Sequence, residues 1–319
     1  KMANFTVSPG VSLNEIDQTF LTAEPIQAGA AIIGPTVKGP ILHPIKVTSY
    51  NEYTTMFGDV IESGSQNYSY LTSIAAYSYF NSGGESLLVT RVVTGSFTSA
   101  TSSAIPGKNE TDVFTLETIS EGTLMNTGAS GTGGALATGT KDNVRWEITS
   151  ANTSSGTFSL SIRRGDDITN KKIILESFNN LSLDPNSERY VAKVIGDQKL
   201  SYDSVNNQIS TTGEYLNNSR FVRVKSVNNP TPHYLDANGT AVTAFTGSIP
   251  TTGNGTFGAA TGAPFPVRAA NFYDNINATD SQGLTGTNYT DAISLLSNTD
   301  DYMFNVLFTP GLTDEAHSA

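Results

Sequence analysis

The feature that most limits how this chain can fold is a double change in the period of its apolar residues. Residues 21–95 mix short strand and helix patterns: "GAAII" is a strand, "SYNEYTTMFG" a short helix ended by Gly58, and "SYLTSIAAYSYFNSGG" a longer helix with Leu71, Ile74, Ala75, Tyr77 and Ser78 at helical spacing. "SLLVTRVV" then reads as a strand buried on both faces apart from Arg91. At Gly95 the pattern changes. Residues 111–230 alternate apolar and polar in short runs, "VFTLETI", "VRWEIT", "TFSLSIRR", "KKIILESF", "RYVAKVI" and "RFVRVKSV", the signature of a β-rich domain. Trp146, flanked by Arg145 and Glu147, points into that domain's core. Residues 231–284 are rich in Gly, Thr and Asn and read as a connection, extended or partly disordered. At 289 the first pattern returns. "NYTDAISLLSNTD" is a helix with Thr290 as N-cap and Ile293, Leu295 and Leu296 inward, and "YMFNVLFTPGL" is a buried strand.

Residues 1–20 are an extended arm. Phe5 and Val7 alternate, Ser8-Pro9-Gly10 breaks the run, and Val11 and Leu13 alternate again. With no sequential partner, such strands dock on their own sheet or add to a neighbour's sheet edge. At the other end "TDEAHSA" starts a helix of seven residues. Helices average about eleven, so the expectation is either a frayed terminus or the first part of a longer protein.

The stretch "GAAIIGPTVKGP" (29–40) has the glycine spacing of a phosphate loop, but Pro35 stands where that loop needs lysine. Proline removes a backbone donor, and Gly39-Pro40 forbids the helix that must follow. Gly34, Pro35, Gly39 and Pro40 are therefore structural turn residues, and no cofactor is expected.

No catalytic constellation emerges. The chain has no cysteine, hence no disulfide and no thiol chemistry. His43, His233 and His317 are far apart, so no metal site is expected. "LDANGTA" carries a fragment of a calcium loop without its later ligands and reads as a turn. Asp166-Asp167 and Asp300-Asp301 are adjacent and point apart, whereas an acid/base pair must converge. Arg164-Gly165-Asp166, a cell-adhesion tripeptide, reads as a hairpin turn with the glycine at positive φ. Asn109, Asn152, Asn238 and Asn254 head chance sequons in a chain rich in Asn, Ser and Thr. The first residues have no apolar leader pattern, and no run is long and apolar enough to cross a membrane. The net charge is −11, unevenly spread: residues 96–230 hold 13 Lys and Arg against 14 Asp and Glu, the rest 5 against 15. So acidic a body is not built for nucleic acid.

Five blocks in order resemble the tail sheath proteins of contractile phage tails and related contractile injection systems: "SPGVSLNEID", "GAAIIGPTVKGP" with "VTSYNEYTTMFG", "AAYSYFNSGGESLLVTRVV", "LESFNNLSLDPNSERYVAKVI" and "LTGTNYTDAISLLSNTDDYMFNVLFTPGL". The resemblance implies a mixed α+β protein. Its α/β core, residues 21–95 plus 285–319, would be interrupted by an inserted β-rich outer domain (96–230) and the connection 231–284. It also implies a non-enzymatic structural subunit that polymerises helically with identical copies around a tail tube protein. Baseplate and tail-terminator proteins would be further partners. Contraction would drive the tube through the host cell envelope. Such a protein would reside in the virion tail, after assembly in the host bacterial cytoplasm. In the family a further C-terminal domain follows the strand that ends in "TPGL", and the expectation is that this chain is the N-terminal portion without it. The other reading of the residues is a β-rich binding or adhesion module displayed on a virion or cell.

Overall fold

The computed structural model describes residues 25–63, 66–263 and 282–312. The arm with Phe5, Val7, Val11 and Leu13, and the helix expected over 313–319, lie outside these residues. In chain order the first elements are β1 (Ile26–Gly34), β2 (Ile45–Val47), α1 (Tyr50–Phe57), β3 (Ile61–Ser63), β4 (Gln66–Tyr68), α2 (Leu71–Asn81) and β5 (Leu87–Arg91). Next come β6 (Ser99–Ser102), β7 (Phe114–Glu121), β8 (Val144–Asn152), β9 (Thr157–Arg164), β10 (Ile174–Ser182) and α3 (Val191–Ile195). The remainder are β11 (Lys199–Asp203), β12 (Gln208–Thr212), β13 (Val222–Val227), β14 (Gly253–Gly255), β15 (Phe257–Gly258), α4 (Thr290–Leu296) and β16 (Tyr302–Phe308). The protein is a mixed α+β fold.

One four-stranded sheet runs in the order β16-β1-β5-β2, with β1 parallel to both β16 and β5 and β2 antiparallel to β5. Every residue of β5 is buried, as a strand covered on both faces requires. On one face Tyr53 and Phe57 of α1 and Ala76 of α2 close over Ala30, Ile32, Leu87 and Val89. On the other, Ala292, Leu295 and Leu296 of α4 close over Ala31, Ile33 and Leu88. Helix α1 starts because the Ser49 hydroxyl accepts from the Glu52 N–H at 3.2 Å, and the Glu52 carboxylate reaches back to the Thr48 N–H at 2.9 Å. It stops at Gly58, φ 73°.

Helix α2 differs in phase from the expectation. Ile74 and Tyr77 are exposed, and the buried face is Thr72, Ser73 and Ala76. These small side chains let the helix lie close on the sheet. A Cβ on Gly34 would collide with Thr72, and the Ser73 hydroxyl meets the Tyr53 phenol at 2.9 Å. Helix α4 is similarly rotated: Ile293 is exposed and Ala292 buried. Its lead-in is capped by Thr285 and Asn288 rather than by Thr290.

Two more four-stranded sheets, β10-β9-β8-β14 and β13-β7-β6-β15, share one apolar core. Phe114 and Phe158 meet there with ring centroids 5.5 Å apart, and Trp146 is buried beside them. The run "RYVAKVI" forms helix α3, not a strand, and buries Val191, Ala192 and Ile195 in the same core. The Gly/Thr/Asn-rich stretch contributes a strand to each sheet: β14 pairs with β8 and β15 with β6. The hairpin β11–β12 leaves these sheets and packs Tyr202 and Ile209 onto the cluster around α4.

Candidate functional site

The turn after β1 is built around a single buried guanidinium. Gly39, at φ 113°, brings its carbonyl to Arg91, whose terminal nitrogen donates to Gly39 O at 2.6 Å and to Glu121 O at 2.9 Å. The Glu121 carboxylate in turn accepts from the Ile41 N–H at 3.1 Å. A Cβ on Gly39 would stand 2.7 Å from the Phe57 ring, so glycine is required on two counts. Pro35 and Pro40 are both buried in this turn. Arg91, expected as the exposed exception on its strand, is 1% exposed and ties the α/β sheet to the end of β7.

The loop's lysine is committed as well. Lys38 is buried, and its ammonium lies 3.2 Å from the Asp142 carboxylate. Burial pulls the Lys38 pKa down, and the Asp142 charge opposes that pull. Beside it Lys141 pairs with Asp59 at 2.7 Å. Burial alone would raise the Asp59 carboxyl, but the hydrogen bond and charge of Lys141 bring it below its ordinary value. The two pairs cross the same junction with reversed polarity, Lys38 and Asp59 on the α/β side against Asp142 and Lys141. This junction leaves no lysine for a phosphate.

The adhesion tripeptide is closed on itself. The Arg164 guanidinium donates to both Asp166 carboxylate oxygens, at 2.6 and 3.0 Å. Its charges therefore neutralise each other. Gly165 is not at positive φ; it is glycine because a Cβ would collide with Asn143. The neighbouring Asp167 turns inward and accepts from Arg163 at 2.7 and 2.8 Å and from Arg145 at 3.4 Å, with all three side chains buried. Glu147 completes the group through Arg163 at 3.1 Å and Lys172 at 2.6 Å. Every carboxylate here is matched by a cation, an arrangement that fastens loops and offers no free acid or base. Among the described residues no three His, Cys, Asp or Glu side chains gather as a metal site. Asp236, in the calcium-like fragment, accepts from the Asn238 and Thr240 N–H groups at 2.9 and 2.8 Å, forming a turn.

The outer edge of β16 presents a different kind of surface. Among the described residues β16 pairs with β1 alone. Met303 and Val306 are each 48% exposed, and Leu307 and Phe308 each 37%. A strand expected to be buried thus carries four exposed apolar side chains beside a row of open backbone groups, a template for another strand. Proximity to solvent is not something an apolar run reveals, so sequence reasoning missed this.

A mixed α+β protein with an α/β sheet, a β-rich partner and an open apolar edge is the class defined here. No family model matches the chain, and no curated protein matches it. Among solved structures, the chain is similar to a sheath tail protein from Listeria innocua: 8% identity, a TM-score of 0.41, covering 89% of this chain and 41% of that one. A sheath tail protein from Desulfitobacterium hafniense gives 12% identity and a TM-score of 0.36, covering 92% of this chain and 45% of that one. The chain thus spans less than half the length of either.

Proposed function

We propose that the chain is a structural subunit, without enzymatic activity, of a contractile tail sheath. Identical copies pack head to tail in an open heterologous arrangement, which generates a helical tube around an inner tube protein. The observation that carries this reading is the open, apolar outer edge of β16 in a chain that also has a strand-patterned arm. The arm of one copy, with Phe5, Val7, Val11 and Leu13, adds as a strand to a neighbour, because backbone hydrogen bonds hold while rigid bodies rotate about the polar joints on either side. The ordered resemblance of five sequence blocks supports the same reading. Contraction is then a passage between two packings of the same subunits. Residues 21–95 with 285–319 form the sheath core, 96–230 the inserted outer domain, and 231–284 the return. Baseplate and terminator proteins engage the ends of the tube in a virion tail assembled in the host cytoplasm.

The second reading, a displayed adhesion module, loses its motivating feature in the ion pair that Arg164 and Asp166 make with each other. Deleting residues 1–20 from the full-length gene product tests the first. The deletion variant should remain a folded monomer and fail to sediment as polymer. Polymerisation at the level of the parent would remove the arm from the account.

A further inference from the structure

The dipeptide Asn-Gly occurs twice in the chain, at 238–239 and at 254–255, and threonine follows it both times. The local sequence Asn-Gly-Thr is the same at both places, so a difference in their chemistry belongs to the fold. An asparagine before glycine is open to attack by the backbone on its own side chain, because glycine has no Cβ to obstruct the approach.

The structure holds the two pairs differently. Asn238 and Gly239 are exposed in a turn closed by hydrogen bonds between Asp236 and Thr240. The Asn238 N–H donates to the Asp236 carboxylate at 2.9 Å, but its side-chain amide has no partner among the described residues. Gly239, at φ 77°, has open space beside its Cα. Its N–H donates to Asp236 O at 3.0 Å, an exposed turn bond that local opening breaks without unfolding the sheets.

Asn254 and Gly255 lie in β14, paired with Glu147 and Trp146 of β8. A strand side chain stands off the sheet, away from the next backbone nitrogen. The Asn254 Oδ1 also accepts from the buried Arg145 guanidinium at 3.0 Å. Thr256, the next residue, is fastened to Ser103 twice: its N–H donates to Ser103 Oγ at 3.2 Å, and its carbonyl accepts from the Ser103 N–H at 2.8 Å. A Cβ on Gly255 would collide with Ser103 and the Trp146 ring, so the backbone has no room to swing toward the amide.

We propose that Asn238 is a site of spontaneous deamidation and isoaspartate formation, and that β14 protects Asn254 from the same reaction. The Gly239 nitrogen gives its proton to hydroxide and attacks Asn238 Cγ. The bond from Cγ to the amide nitrogen breaks, and that nitrogen takes a proton from water and leaves as ammonia. Water then opens the cyclic imide at either carbonyl, giving aspartate or isoaspartate. One water is consumed, one ammonia is released, and nothing is oxidised or reduced. Each event adds a negative charge to the turn, and the isoaspartyl product also adds a methylene to its backbone.

The test is to incubate the full chain in mildly alkaline buffer and follow both asparagines by peptide mass spectrometry. No Lys or Arg lies between Lys225 and Arg268, so one tryptic peptide carries both sites and each serves as the other's control. Fragment ions should place the mass increase at 238, with isoaspartate among the products and a rate that rises with pH. Asn254 should convert at least several-fold more slowly. In guanidinium chloride the two rates should converge, because the fold is gone and the local sequence is shared. Equal rates in the native protein, faster conversion at 254, or an intact Asn238 over the time in which the denatured chain reacts would each overturn the proposal. Aspartate without isoaspartate would remove the imide route, and rates that stay unequal in denaturant would remove the fold as the cause; either result overturns it as well.

Discussion

Gly39 and Asp167 show how far single residues could be read. The Gly-Pro punctuation of the β1 turn is legible because glycine and proline act through their own backbone geometry. Its partner Arg91 was not, because a cation in an apolar run is ordinarily exposed. Gly39→Ala combines φ 113° with a Cβ 2.7 Å from the Phe57 ring. It should lower stability by about 1–3 kcal/mol, read from urea denaturation. The buried Arg145 and Arg163 also escaped the sequence reading, although they carry a signal. They stand directly opposite in the β8–β9 register, and like charges so placed need an anion between them. Asp167 is that anion. Asp167→Ala leaves two buried guanidinium groups short of a partner and should cost about 3–5 kcal/mol. Asp166→Ala breaks a pair about one-third exposed and should cost less than about 1 kcal/mol in the same titration. Equal losses for these adjacent aspartates would contradict the assignment.

At the scale of elements, period gave existence better than orientation. Helices α1, α2 and α4 and the strands β1, β5 and β16 lie where the pattern puts them. The inward face of α2 was misread because close approach to a sheet selects Thr72, Ser73 and Ala76 over larger side chains. "RYVAKVI" has the alternation of a strand yet forms α3, since apolar spacing over so few residues fits both periods. β14, Gly-Asn-Gly, was illegible because it pairs through the backbone and leaves no side-chain pattern, and β15, Phe257–Gly258, is too short to show a period. The edge strand β16 offers the clearest test at this scale. Val306→Lys places a charge on a side chain already 48% exposed. Stability should change by no more than about 0.5 kcal/mol, while polymer formation by the full-length product, followed by sedimentation velocity, should fall at least several-fold. Undiminished polymer would mean that the β16 edge takes no part in assembly.

At the scale of the molecule, how the α/β sheet and the two β sheets grip each other was not visible in the sequence. The grip comes from two sides. Reversed-polarity ion pairs, Lys38–Asp142 and Lys141–Asp59, hold one side, and the β11–β12 hairpin lays Tyr202 and Ile209 against the α4 cluster on the other. A sliding displacement that brought Lys141 to Lys38 and Asp142 to Asp59 would oppose like charges, which favours one register over its neighbours. The central proposal is that copies of this chain form a tube. Negative-stain electron microscopy of the purified full-length gene product tests that claim most directly. The account predicts helical tubes of uniform diameter; monomers or shapeless aggregate at high protein concentration would contradict it.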